Sequence, residues 1–232
     1  MVSSSYGLTG RAAVITGATR GIGLAVARHL VNAGALVCVT ARDADEVRRT
    51  AEELGGIGLA GSVADPGHPR RLTELALREF GRLDILVNNA ATNQPYGPLM
   101  DVAPEAWSEA FAVNVEAPLR LVQCAWRAWM SEHGGTVVNV CTEGAGHVGP
   151  NVGAYGTSKA ALLHLTQQLA GELGPRVRVN SVSPAWFAPR WPGSYGNRAS
   201  VRWQPGCPWG GSGSRRTSHG RWCGWRRTRR SG

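Results

Sequence analysis

Ala12-Ala-Val-Ile-Thr16-Gly17-Ala-Thr19-Arg20-Gly21-Ile22-Gly23 is a short apolar run that breaks at a cluster of glycines and continues into the helix-spaced LAVARHLVNAG. Strand, glycine turn and helix in that order make half of a βαβ unit, and the chain repeats the alternation. Apolar or β-branched runs recur at 35–41 (ALVCVTA), 83–88 (LDILVN), 136–140 (TVVNV) and 177–182 (VRVNSV). Continuous apolar runs of this length read as strands buried on both faces. Between them, 21–34, 43–56, 68–81, 104–130 and 155–173 carry Ala, Leu and Val at helical spacing, and several end at Gly, which helix C-termini favour. This alternation requires right-handed crossovers, hence a parallel sheet covered by helices on both sides. The spacing predicts a doubly wound α/β fold.

The glycines mark a candidate anion site. Gly17, Gly21 and Gly23 let the backbone turn tightly and approach a pyrophosphate, whose charge the amides and dipole of the helix N-terminus stabilise. A glycine cluster alone also makes ordinary turns. Its place after the first strand and before the first helix is where a dinucleotide binds in such folds. The second strand should end against the adenosine ribose, and there the chain reads Thr40-Ala41-Arg42-Asp43. Arg42, with Arg20 nearby, suits a ribose 2′-phosphate, so NADP is favoured over NAD. Arg42 as a plain solvated charge is the alternative, because Asp43 follows it directly.

Lys159 is the only lysine in a chain whose 25 basic residues are otherwise all arginine. It follows Tyr155 by one helical turn, so the two side chains share a face. A tyrosine with a pKa of about 10 is a poor proton donor at neutral pH, and a fixed cation beside it would lower that value. A compact ammonium can also reach a ribose hydroxyl, which a planar guanidinium does less well. Tyr155 reads as a general acid/base and Lys159 as its tuner.

Thr16-Gly-x-x-x-Gly-x-Gly23, Asn88-Asn-Ala90, Asn114 and Tyr155-x-x-x-Lys159, in that order, resemble the short-chain dehydrogenase/reductase family over residues 7 to about 184. The resemblance implies a Rossmann-type oxidoreductase that passes a hydride between NAD(P) and a ketone or secondary alcohol. It assigns Tyr155 as acid/base, Lys159 as ribose-binding tuner, Asn114 as holder of a relay water and Thr142 as the residue that orients substrate. Gly17, Thr19, Arg20, Gly21, Ile22, Gly23, Arg42, Asn88, Ala90 and Pro184 fall at cofactor-binding positions, together with Tyr155 and Lys159. It further implies a homo-oligomer in intact relatives, with Trp107, Trp126, Trp129 and Tyr155 on the helices that would pair.

Four departures qualify the match. Thr142 stands where the family has Ser, keeping the hydroxyl and adding a methyl. Ala91 stands where Asn-Asn-Ala is usually followed by Gly, and Ser62 where an Asp commonly binds adenine. After Ser183-Pro184 the family reads Gly, whereas this chain reads Ala185-Trp186-Phe187-Ala188-Pro189-Arg190 and the pattern ends. Cys141, beside Thr142, reads as a buried apolar filler and not as a nucleophile.

Composition divides the chain at the same place. The net charge of +9 invites a nucleic-acid or membrane partner, yet residues 1–189 hold all 16 acidic residues. Residues 190–232 hold ten Arg, five Trp and nine Gly, and Val201 is their only Val, Leu, Ile, Met or Phe. The expected organisation is a catalytic domain at 1–189, lacking its last strand and substrate-covering lid, and an irregular tail at 190–232 that leaves a sheet edge exposed. Two readings of the tail stand open: GC-rich codons translated out of frame, which would leave an impaired dinucleotide-binding remnant, or a basic arm whose Arg and Trp bind nucleic acid. Nucleic acid is the weaker expectation, and a metal site from Cys207, His219 and Cys223 is weaker still. The chain lacks an apolar run of membrane-spanning length and a signal-like N-terminus, and its five cysteines form no regular framework. A cytoplasmic protein with a small-molecule substrate is expected.

Overall fold

The computed structural model describes residues 7–184 and 201–204. Six parallel strands run β1 Ala12–Thr16, β2 Leu36–Ala41, β3 Ile57–Ala60, β4 Ile85–Asn88, β5 Gly135–Val140 and β6 Val177–Pro184. A short β7, Val201–Gln204, is antiparallel on β6, and the sheet order is β3-β2-β1-β4-β5-β6-β7. The helices are α1 Gly21–Asn32, α2 Ala44–Leu54, α3 His68–Phe80, α4 Pro104–Phe111, α5 Ala117–Ala125, α6 Ser131–His133 and α7 Gly153–Leu173. Among these described residues no helix is long and apolar enough to cross a membrane. The doubly wound α/β reading holds.

Every residue of β1 is buried, and its side chains alternate between two cores. Val14 packs with Leu72, Leu121 and Leu169 on the α3, α5 and α7 side, whereas Ala13 and Ile15 pack with Ala27, Val47 and Leu54 on the α1 and α2 side. Trp126 and Trp129 lie partly buried against the first core, and the Trp129 ring stacks on His133 at 3.7 Å between centroids.

Three features differ from the pattern reading. β3 was not among the expected runs: IGLA is short, glycine dilutes it, and as the sheet's edge it is only half-buried. The long helix at 104–130 is interrupted by two wide turns, Ala112–Glu116 and Trp126–Met130. In the first, the Ala117 amide donates to the carbonyl of Ala112, five residues back. Pro118 has no amide to give Asn114, so the normal ladder fails there. The edge at β6, expected to be exposed, is instead paired with β7, formed from Val-Arg-Trp-Gln at 201–204, a sequence of strand-forming character. The rest of 190–232, including Cys207, His219, Cys223 and the proposed basic arm, lies outside the described residues.

Candidate active site

Strand order reverses between β1 and β4, so the loops after these strands diverge and leave a crevice at the carboxyl ends. The glycine turn forms one wall. Thr16 Oγ1 accepts from the Asn89 and Ala90 amides at 3.0 and 2.9 Å, and Asn89 Nδ2 donates to the carbonyls of Thr16 and Gly17, both at 2.9 Å. Gly17 and Gly21 have φ of 62° and 57°, a conformation that favours glycine. A Cβ on Gly23 would lie 2.3 Å from the Gly17 carbonyl oxygen, and one on Gly17 would lie 2.9 Å from Ala90 Cα. A Cβ on Gly21 would meet nothing within 4 Å. Among the described residues no side chain caps α1, which leaves its first amides as the kind of donors a phosphate requires.

Asn88, expected at the cofactor, is 3% exposed and donates to Asn139 Oδ1 at 2.8 Å. Asn139 in turn donates to Thr166 Oγ1 at 2.9 Å, tying β4 through β5 to α7. Asn89, the second residue of the same motif, is the one that reaches the glycine turn and lines the cavity.

That cavity, about 660 Å³, opens at the ends of β5 and β6 and is lined by Ile22, Asn89, Thr142, Tyr155, Lys159 and Pro184 among others. Lys159 is 2% exposed, and its Nζ donates to the Val140 carbonyl at 2.7 Å. Burial pulls its pKa down to about 8, so the ammonium still predominates at neutral pH. Nζ lies 6.0 Å from the centre of the Tyr155 ring. Burial raises the Tyr155 pKa, and the Thr142 hydroxyl beside it pulls the other way. Desolvation is the larger of the two, so in this geometry the phenol sits above its ordinary value. Burial also pushes Cys141 up to about 11 against the attraction of Lys159, which fits a filler thiol. Cys38, Cys124 and Cys141 are free.

Thr142 Oγ1 accepts from the Gly144 amide at 3.3 Å, leaving its own proton for another acceptor. Asn114 is fully buried behind Tyr155 and outside the cavity wall. It donates to Ser158 Oγ at 2.9 Å, and Ser158 donates to the Tyr155 carbonyl at 2.8 Å. The Thr92 carbonyl and amide close its other bonds at 2.8 and 2.9 Å. Ser158 was not singled out from sequence, although its place between Tyr155 and Lys159 carried the signal.

At the other end, Arg20 and Arg42 are exposed, and neither forms an ion pair among the described residues. Asp43 accepts from the Glu46 amide at 2.9 Å as the cap of α2, and Thr19 Oγ1 donates to Glu46 Oε2 at 2.9 Å. Ser62 is exposed and accepts from the Ala64 amide at 3.3 Å. No cluster of metal-ligating side chains occurs among the described residues.

A parallel sheet whose glycine turn faces a half-buried tyrosine and a buried lysine across one crevice defines a nucleotide-binding class of α/β protein. The short chain dehydrogenase family matches residues 11–194, and the chain belongs to it. Dehydrogenase/reductase SDR family member 4 of Sus scrofa is 41% identical over 183 residues, covering 76% of this chain and 66% of the pig protein. A short chain dehydrogenase from Burkholderia cenocepacia J2315, solved in complex with NADP, superposes with a TM-score of 0.71 at 35% identity, over 75% of this chain and 73% of that one. An NAD+-bound xylitol dehydrogenase gives 0.74 at 26% identity, over 79% and 73%.

Proposed function

We propose that this chain is an NADP(H)-dependent oxidoreductase that interconverts a ketone and a secondary alcohol. The observation that carries the reading is the convergence of Thr142, Tyr155 and Lys159 on one cavity beside the glycine turn. A nicotinamide dinucleotide bound here would supply the hydride to the carbonyl carbon, the C=O π pair passing to the oxygen; the amides of the glycine turn would hold its pyrophosphate, and Lys159, with two N–H donors left after Val140, would hold ribose hydroxyls. In the reducing direction Thr142 donates to the carbonyl oxygen and orients it. Tyr155 gives its phenolic proton to the same oxygen, its O–H bond breaking as the alcohol O–H forms. Lys159 stabilises the phenolate left behind and solvent in the cavity restores the proton; Asn114, expected to hold a relay water, instead has its amide spent on Thr92 and Ser158 and through Ser158 fixes the turn of α7 that carries Tyr155.

Two observations favour NADP over NAD. Arg20, in the glycine turn, and Arg42, just after β2, are exposed and form no ion pair among the described residues, and Asp43, the acid that would grip a ribose hydroxyl, is occupied in capping α2. A cytoplasmic setting and a homo-oligomer complete the proposal. The test is absorbance of the reduced nicotinamide with a panel of ketones and secondary alcohols: turnover is expected with NADP(H), and binding of the dinucleotide without turnover of any of them defeats the enzymatic reading.

A further inference from the structure

Glu46 does something that a helix-opening glutamate does not ordinarily do. In an opening of the form Asp43-x-x-Glu46, the last side chain usually turns back to the amide of the capping residue. Here the cap is made, Asp43 Oδ1 accepting from the Glu46 amide, but Glu46 Oε2 accepts instead from Thr19 Oγ1 at 2.9 Å. Thr19 belongs to the glycine turn, between Gly17 and Arg20. A half-buried carboxylate is therefore carried across from α2 to the nucleotide loop, where Arg20 follows Thr19 directly and where Arg42, exposed like Arg20, immediately precedes the cap of α2.

Resting on the proposed reading of the crevice as a nucleotide site, we propose that Glu46 is a specificity-determining residue that limits this enzyme's preference for NADP(H). Its charge opposes a 2′-phosphate that Arg20 and Arg42 attract. An unphosphorylated ribose suffers no such repulsion, and its 2′-hydroxyl can donate to the carboxylate's second oxygen. The site is thus a compromise in which arginines favour one cofactor and an anchored carboxylate keeps the other usable. Glu46 acts on binding alone and takes no part in hydride or proton transfer.

The test is calorimetric titration of NADPH and NADH into the full chain and into Glu46→Gln. The amide is the same size, and the α2 cap, which uses the backbone amide of this residue, survives; an unchanged melting temperature verifies that. The expected result is a rise of about tenfold in the preference for NADPH over NADH, mainly through tighter NADPH. Thr19→Val, which releases the carboxylate without removing it, should move the ratio the same way by a smaller factor. An unmoved or reduced ratio in Glu46→Gln overturns the role of Glu46 and leaves the nucleotide site standing. A wild-type chain that binds neither dinucleotide overturns the nucleotide site itself, and this inference with it.

Discussion

At one end of the crevice Lys159 is 2% exposed and anchored on the Val140 carbonyl, while at the other Arg42 stands in solvent without an ion pair among the described residues. The buried end is over-determined. Asn114, Ser158, the Tyr155 carbonyl and Lys159 are linked through hydrogen bonds to β5, α7 and the loop after β4, so the turn of α7 that carries the tyrosine is fixed. Such order is what a proton transfer needs, since the donor must meet its acceptor within a few tenths of an ångström. The exposed end is set by charges that water and salt screen, and small substitutions there can change which ligand is preferred without disturbing the fold. Chemistry and selectivity are therefore separable in this molecule.

The largest expected effect on nucleotide binding is at the wall shared by both ends. Gly23→Ala puts a methyl 2.3 Å from the Gly17 carbonyl oxygen and 2.5 Å from Asn89 Nδ2, so the turn must shift. A loss of dinucleotide affinity of about a hundredfold and a stability loss of about 2 kcal/mol are expected, measured by titration and by denaturant unfolding. Gly21→Ala, where the space is open, should cost only the backbone strain of a positive φ, about 1 kcal/mol.

Arg42→Ala sharpens the contrast between the ends. It should weaken NADPH by about tenfold and NADH hardly at all, with kcat preserved when NADPH is saturating. Equal losses for the two cofactors, or a fall in kcat, would show that the exposed end is not a selector separate from the chemistry.

The smallest expected effect on function lies at the opposite ends of the central strands. Asp84 bonds the Ala12 amide at 2.9 Å and pairs with Arg82 at 2.7 Å and Arg11 at 2.8 Å, joining the starts of β1 and β4. Burial alone would raise its pKa, but the Arg82 guanidinium, the Ala12 amide and Arg11 outweigh it and hold the carboxyl at about 2. The folded value lies below the unfolded value of about 4, so this contribution is present above pH of about 4 and is lost as pH falls toward 2. Its size is about 2 kcal/mol. Asp84→Asn should remove it and flatten the stability curve across that acid window, while cofactor preference stays unchanged; unfolding curves at stepped pH provide the check.

Much of this was legible because burial leaves a compositional trace. β1, β2, β5 and β6 are interior strands and read as apolar runs, and Tyr155 and Lys159 are one turn apart on any helix. β3 left little trace, because an edge strand buries less and IGLA needs no alternation. Pro118 did carry a signal, a missing amide four residues after Asn114, and the wide turn it produces places that asparagine. Asn88 and Asn89 could not be told apart in sequence, since which one turns toward the glycines depends on the pleat at the end of β4. Nor could the direction of the Tyr155 shift be read, because spacing gives the neighbouring charge and says nothing of the burial that outweighs it. The Thr19–Glu46 bond joins two segments whose contact exists only once β1 and β2 are paired.

The central claim, that the buried end performs proton transfer and contributes little to holding the nucleotide, meets its most direct test in Tyr155→Phe. Turnover of a ketone and NADPH binding are measured on the same preparation, with NADPH saturating in the assay. Removing one hydroxyl should lower kcat by about a thousandfold and leave the NADPH dissociation constant within about twofold of wild type. Turnover near the wild-type rate, or NADPH binding lost in step with activity, would contradict the account.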